Sequence, residues 1–241
     1  VATVNVSYTF NDVKILPDTT INAVAGESIQ IKNGKQDDDS KMVKGYDAPT
    51  GQGFAISADS KLSVVASDDA QLVVKYVVDK QGFQQNVETA TKLAGKIKDQ
   101  ITTAEAQRDA APEKDKAVIQ IAIDQMQAEL NNLQGEDGKS GLIGTLTNAT
   151  SDSTLDDLKT VDAVVGQYNS VQTQMTDITA LGDRVSKLVN AVDALLDKED
   201  ADANAARDAA KLLGDSAEKS VAKSNKQFSD KVQKAQTDLD T

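Results

Sequence analysis

Five groups of residues in this 241-residue chain could do chemistry. Asp37-Asp38-Asp39 offers clustered oxygen ligands of the kind calcium takes, and Asp197, Glu199, Asp200 and Asp202 form a second acidic group. Neither has the alternating acidic spacing, central glycine and later glutamate of a calcium loop. The first reads as a solvated loop and the second as helix-end charge. Gly51-Gln52-Gly53 lacks the lysine and hydroxyl residue, and the following helix, of a phosphate-binding loop. Pairs of carboxylates could run glycoside hydrolysis, but 38 acidic residues make pairs inevitable, and the chemistry needs two acids facing across a cleft. Tyr46, Phe54 and Tyr76 could stack on sugar rings as ligand-binding residues, although such rings more often fill a small β core.

Histidine and cysteine are both absent. Their absence removes thiol nucleophiles, histidine-based triads and the usual zinc ligand sets. No catalytic residue, metal site or cofactor is expected, and the chain reads as a non-enzyme.

The pattern that must position any site changes once along the chain. Six of the eight aromatic residues precede position 84, and up to about Gly82 apolar and polar residues alternate. Thr3-Val4-Asn5-Val6-Ser7-Tyr8-Thr9-Phe10 puts Val4, Val6, Tyr8 and Phe10 on one face of a first strand. Asn11-Asp12 is a turn, and Pro17-Asp18 opens the extended Thr19-Thr20-Ile21. Ala25-Gly26-Glu27-Ser28 turns the chain into Ile29-Gln30-Ile31, and Lys35–Lys41 is a polar loop. Phe54-Ala55-Ile56 is a short strand, Asp59-Ser60 and Ser67-Asp68-Asp69 are turns, and Leu72–Val78 is the last strand.

Beyond that point the apolar period is 3.6. A first helix starts near Asn86, with Val87, Ala90, Ala94, Ile97, Ile101 and Ala104 as its seam. Pro112 ends it and opens a second, with Ile119, Ala122, Met126, Leu130 and Leu133 inward, closed by Gly135-Glu136-Asp137-Gly138. Ser140–Asn148 is ambiguous between loop and short helix. A third helix over about 154–197 is capped by Ser153 or Thr154, has Asp156-Asp157 in its first turn, and carries Val161 through Leu195 as its stripe. It would be ~65 Å long. Asp197–Asp202 is a turn or a continuation, and Ala206, Ala210, Leu213, Ala217, Val221, Phe228, Val232, Ala235 and Leu239 mark a fourth helix. The two shorter helices are expected end to end against the longer pair.

The N-terminal strands resemble the mucin-binding-protein repeat of Gram-positive surface adhesins. The likeness runs over residues 2–78, about a third of the chain. It rests on the ordered pieces Tyr8 and Phe10, Ile15-Leu16-Pro17, Ala25-Gly26-Glu27-Ser28, Lys44-Gly45-Tyr46 and Val73-Val74-Lys75-Tyr76-Val77. The chain departs from the family pattern at Asn11-Asp12-Val13 and at Val78, where the family carries acidic and glycine turn residues and a tyrosine. The resemblance implies a small ubiquitin-like β-grasp fold and a host mucin, other glycoprotein or matrix protein as partner. It also implies an extracellular place on a wall-anchored parent with tandem modules, and the opening at Val1 without methionine reads as part of a longer chain.

The expected fold class is therefore α+β multidomain: a β-grasp mucin-binding-like domain over 1–82 and an elongated antiparallel three- or four-helix bundle over 83–241. Net charge is −12, with no basic stripe to meet a phosphate backbone, so no nucleic acid partner is expected. No apolar run approaches 18 residues, so no membrane insertion is expected either. The expected function is non-catalytic adhesion by the β module on a helical spacer. The alternative is that the bundle binds a host protein and the β domain is a spacer.

Overall fold

A computed structural model describes residues 1–31 and 53–239, with side chains to Lys234. The Lys35–Lys41 loop, Asp37-Asp38-Asp39, Lys44-Gly45-Tyr46 and Gly51-Gln52 lie outside the described residues.

The N-terminal part is a mixed sheet. β1 (Ala2–Phe10) is its centre, and its alternation is realised: Ala2, Val4, Val6, Tyr8 and Phe10 are buried while Thr3 and Asn5 are exposed. β2 (Val13–Lys14) returns along the end of β1 through Asn11 and Asp12, both at positive φ (49° and 61°), a primed two-residue turn that suits Asn and Asp. β3 (Thr19–Ala23) pairs antiparallel with the start of β1. β4 (Ser28–Gln30) and β6 (Ser63–Val65) make a separate two-stranded ribbon. β5 (Phe54–Ile56) pairs antiparallel with β7 (Gln71–Val78). β7 lies parallel to β1, so the first and last strands are neighbours at the middle of the order β2-β1-β7-β5. Leu72, Val74 and Tyr76 of β7 bury on the same side as the apolar row of β1.

α1 (Lys80–Ala110) follows β7 at once, six residues before the seam-based start at Asn86. Asp79 caps it, accepting from Gly82 N at 2.9 Å, and the Asp79 N–H donates to the Gly53 carbonyl at 2.8 Å. Phe83 in its first turn is buried and meets Tyr168 edge to face, centroids 6.3 Å apart. Gly53 sits over that ring at φ 95°, where an added Cβ would lie 3.1 Å from Phe83 and from Val164. The sheet and the helices therefore share one continuous apolar core at this junction.

Pro112 separates α1 from α2 (Glu113–Gln134). α1 and α2 pack side by side, which replaces the expected end-to-end stacking: a link of two residues forces a hairpin. The ambiguous segment is α3 (Gly141–Ala149), entered through Gly141 at φ 68°, where any Cβ would fall 2.6 Å from the Asn132 carbonyl oxygen. α4 (Asp152–Asp156) is a single turn capped by Ser151.

α5 (Val161–Leu239) differs most from expectation. It is one helix of 79 residues, ~118 Å at 1.5 Å per residue, instead of two. It starts after Thr160, whose hydroxyl accepts from Ala163 N at 3.2 Å, so Ser153, Thr154 and Asp156-Asp157 belong to the region of α4 instead. Asp197–Asp202 continues the helix, since no glycine or proline interrupts it there. The packed part of α5 buries Val164, Val171, Ile178, Leu181, Val185 and Val192 against α1 and α2.

Cross-helix bonds fix the directions. Phe83 meets Tyr168 near the sheet, and Gln107 Nε2 donates to Asp193 Oδ1 at 2.9 Å at the far end, so α1 and α5 run parallel. Arg184 holds Glu129 through two bonds, and Lys114 meets Glu199 at 2.7 Å, so α2 runs opposite to both. Beyond Glu199 no neighbour remains among the described residues, and every residue from Asp200 to Lys234 is exposed.

Candidate functional site

Of the three candidate sugar-stacking rings, Phe54 and Tyr76 are core residues. Each is 2 % exposed, and Phe54 lies edge-on between Phe10 (5.5 Å) and Tyr76 (6.5 Å). No ring face is left for a ligand, because β5 and β7 both turn these residues to the covered side of the sheet. Tyr46 lies outside the described residues.

The open side of the same strands carries a surface that aromatic reasoning passed over. Thr3, Asn5, Ser7 and Thr9 stand along β1, with Asn22 and Thr20 of β3 opposite Thr3 and Asn5, and Val73 and Lys75 of β7 opposite Ser7 and Thr9. Thr3 Oγ1 donates to Asn22 Oδ1 at 3.3 Å, and Lys75 is tied to Asp59 at 3.0 Å. The signal was in the sequence: every second residue of the first strand is a hydroxyl or amide. Such a row offers donors and acceptors at the ~7 Å repeat of alternate strand residues.

Where β7 turns into α1, a hollow of about 250 Å³ is lined by Phe10, Val78, Lys80, Leu155 and Asp156 among others. Lys80 binds Asp156 at 2.6 Å and reaches Asp152 at 3.7 Å, and the Asp156 hydrogen bond raises its pKa. An ammonium held that way is neither nucleophile nor base. Asn11 Nδ2 donates to the Lys159 carbonyl at 3.1 Å across the same junction. The hollow joins β-sheet to helices and holds no facing pair of acids.

The other charge shifts have the same sense. Glu129 is lowered by its hydrogen bonds from Arg184, Asp59 by those from Ser57 and Lys75, and Lys114 is raised by Glu199. Each favours the ordinary charged form, the opposite of the poised groups that acid–base catalysis uses. Glu199 and Asp202, from the second acidic group, are engaged with Lys114 and Lys198. Among the described residues no three carboxylates converge as a metal would need. Asp115, buried in the first turn of α2, leaves Oδ2 without a hydrogen-bond partner among the described residues, but it stands where a helix dipole favours its charge.

Asp137 shows the largest shift. Its carboxylate accepts from the Lys139 and Ser140 amides and the Ser140 hydroxyl at 2.8–2.9 Å, which lowers its pKa from 3.8 to about 2. The depression makes this a structural anchor of the α2–α3 turn. Unfolding returns the group to its ordinary value, so its contribution is complete above pH 3.8 and fades as pH falls through about 2. Asp137→Asn is therefore expected to lower the urea midpoint at pH 6, with the gap to the parent narrowing as pH falls from about 4 to 2. A gap independent of pH would refute the charge-based account.

Comparison of the chain with protein-family models, with curated proteins and with solved structures finds no match in any of the three.

Proposed function

We propose that this chain is a non-catalytic module of a bacterial cell-surface adhesin, in which the mixed sheet is the recognition head and the helices are the spacer. The observation that carries this reading is α5: one helix leaves the sheet junction, crosses the bundle and runs on, placing the sheet at one end of an elongated rod. Support for the head comes from the resemblance of residues 2–78 to mucin-binding repeats. The parallel pairing of first and last strands at the sheet centre is the arrangement a ubiquitin-like β-grasp requires. The motif positions Tyr8, Phe10 and Tyr76 are core residues, so in this reading the motif specifies the fold. Recognition falls to the polar row Thr3, Asn5, Ser7 and Thr9, whose hydroxyls and amide match the hydrogen-bonding groups of a glycan. The partner is a host mucin, another glycoprotein or a matrix protein, met outside the cell, with the module repeated in a wall-anchored parent.

The test is binding of the full chain to immobilised mucin, against an unrelated protein of equal negative charge. Retention above that control is expected, with affinity falling about tenfold in an Asn5→Ala, Thr9→Ala variant that keeps the parent's thermal midpoint. No retention by the parent chain would sink the head assignment.

A second reading, in which the helical part binds a host protein and the sheet spaces it, is favoured by the exposed apolar side chains of α5 beyond the bundle. A chain ending at Asp202 separates the two. Its bundle contacts are intact, so mucin retention persists if the sheet is the head and is lost if α5 is.

A further inference from the structure

The end of α5 is an amphipathic helix with no described residue packed against it. Leu213, Val221, Phe228 and Val232 are 72, 60, 71 and 49 % exposed, and with Ala206, Ala210 and Ala217 they lie on one face. The stripe repeats every eleven residues: Ala206, Ala217, Phe228 in one row and Ala210, Val221, Val232 in the next. An eleven-residue period stays close to the helix's own 3.6, so the face remains on one side of a nearly straight rod. It is in line with Val185, Leu188 and Val192, the part of the stripe that packs in the bundle, so the packed seam continues past the last residue that α1 and α2 cover. Helices in proteins draw most of their stability from packing such a face, and this one extends for some forty residues without doing so.

Charge says what covers it. From Asp200 to Glu218 the helix has five acidic and two basic residues, and from Lys219 to Leu239 it has five basic and two acidic. A parallel pair would set like against like. An antiparallel pair sets each acidic half against a basic half. Side-chain size agrees with the same register at three steps: Ala206 comes opposite Val232, Ala210 opposite Phe228, and Ala217 opposite Val221, a small residue against a large one, while Leu213 comes opposite Asn225.

We propose that the end of α5 is an interface with a second copy of this chain, an antiparallel two-helix pair centred near Lys219 with the two sheets at opposite ends. At 1.5 Å per residue the sheet junctions would be ~170 Å apart. The surface is separate from the sheet, and the proposal holds whether or not the head binds mucin. In an adhesin the pair would present two heads from one rod.

Sedimentation equilibrium of the full chain tests it. A reversible monomer–dimer equilibrium is expected, with Phe228→Asp weakening it by about a hundredfold. Helix content at high dilution serves as the folding control. Lys219→Glu, Lys223→Glu, Lys226→Glu in one chain, and Asp208→Lys, Asp215→Lys, Glu218→Lys in another, should each abolish self-association, and mixing the two should restore a dimer. Orientation follows from cysteine, which the chain otherwise lacks. Ala206→Cys mixed with Val232→Cys should give the mixed disulfide in excess over either homodisulfide. A chain that stays monomeric at the highest soluble concentration would overturn the proposal. So would Ala206→Cys linking mainly to itself, or a dimer indifferent to both charge reversals.

Discussion

Phe83→Ala is expected to destabilise the protein by about 3–5 kcal/mol, because it removes a fully buried ring from the place where sheet and helices share a core. The ring is 2 % exposed, lies edge-on to Tyr168 and forms the floor beneath Gly53. Gly53 is held by its own carbonyl bond from Asp79 and by a left-handed φ, so the backbone above is poorly placed to collapse into the space. For a chain of this size the loss corresponds to a thermal midpoint about 10 °C lower. A second consequence is more diagnostic. With the shared ring gone, the apolar contact between sheet and bundle is reduced, and Asn11 to Lys159 remains as a polar contact across the junction. Unfolding followed separately by the sheet tyrosines and by helix content should then give two midpoints where the parent gives one. Coincident transitions with a loss below 1 kcal/mol would show that the two parts do not depend on each other through this residue.

The second large effect contrasts two leucines on one helix. Leu181→Ala is expected to cost about 2–5 kcal/mol, since Leu181 is fully buried where α5 crosses α1 and α2. Leu213→Ala, nine turns along, should change the stability of the dilute monomer by no more than about 0.5 kcal/mol, since that side chain is 72 % exposed. Denaturant unfolding below the concentration of self-association measures both. Hydrogen exchange adds a map: amides of residues 164–196 should be protected close to the global limit, and those beyond 203 should exchange early. Equal costs for the two leucines would mean that the end of α5 folds back on the bundle, as a fourth helix would.

That comparison also marks where local pattern stopped being informative. The first and last strands, the Asn11-Asp12 turn and the seams of α1 and α2 were legible, because each is a period or a backbone preference carried by adjacent residues. β2 and β6 were not, since strands of two and three residues are too short to display a period. The start of α1 was placed late because Lys80-Gln81-Gly82 carries no apolar signal, while Phe83 reads equally well as the end of the β region. The acidic run at Asp197–Asp202 resembled a boundary, yet charge alone does not stop a helix. Among the stacking candidates, Phe54 and Tyr76 were chosen by residue type, whereas the side of the sheet each faces is set by pairing with a strand distant in sequence.

By itself the sequence determined a two-part α+β chain without thiol or imidazole chemistry, with a β-forming beginning and a long acidic helical remainder. Those are properties of composition and period, which need no partner to exist. Only the tertiary structure decided that β1 and β7 lie side by side, that Phe83 joins the two parts, and that the last forty residues of α5 leave the bundle with an apolar face uncovered. An apolar stripe states that something must be buried. Which surface buries it depends on where the neighbouring helices end, and that is a property of their lengths and crossings in space.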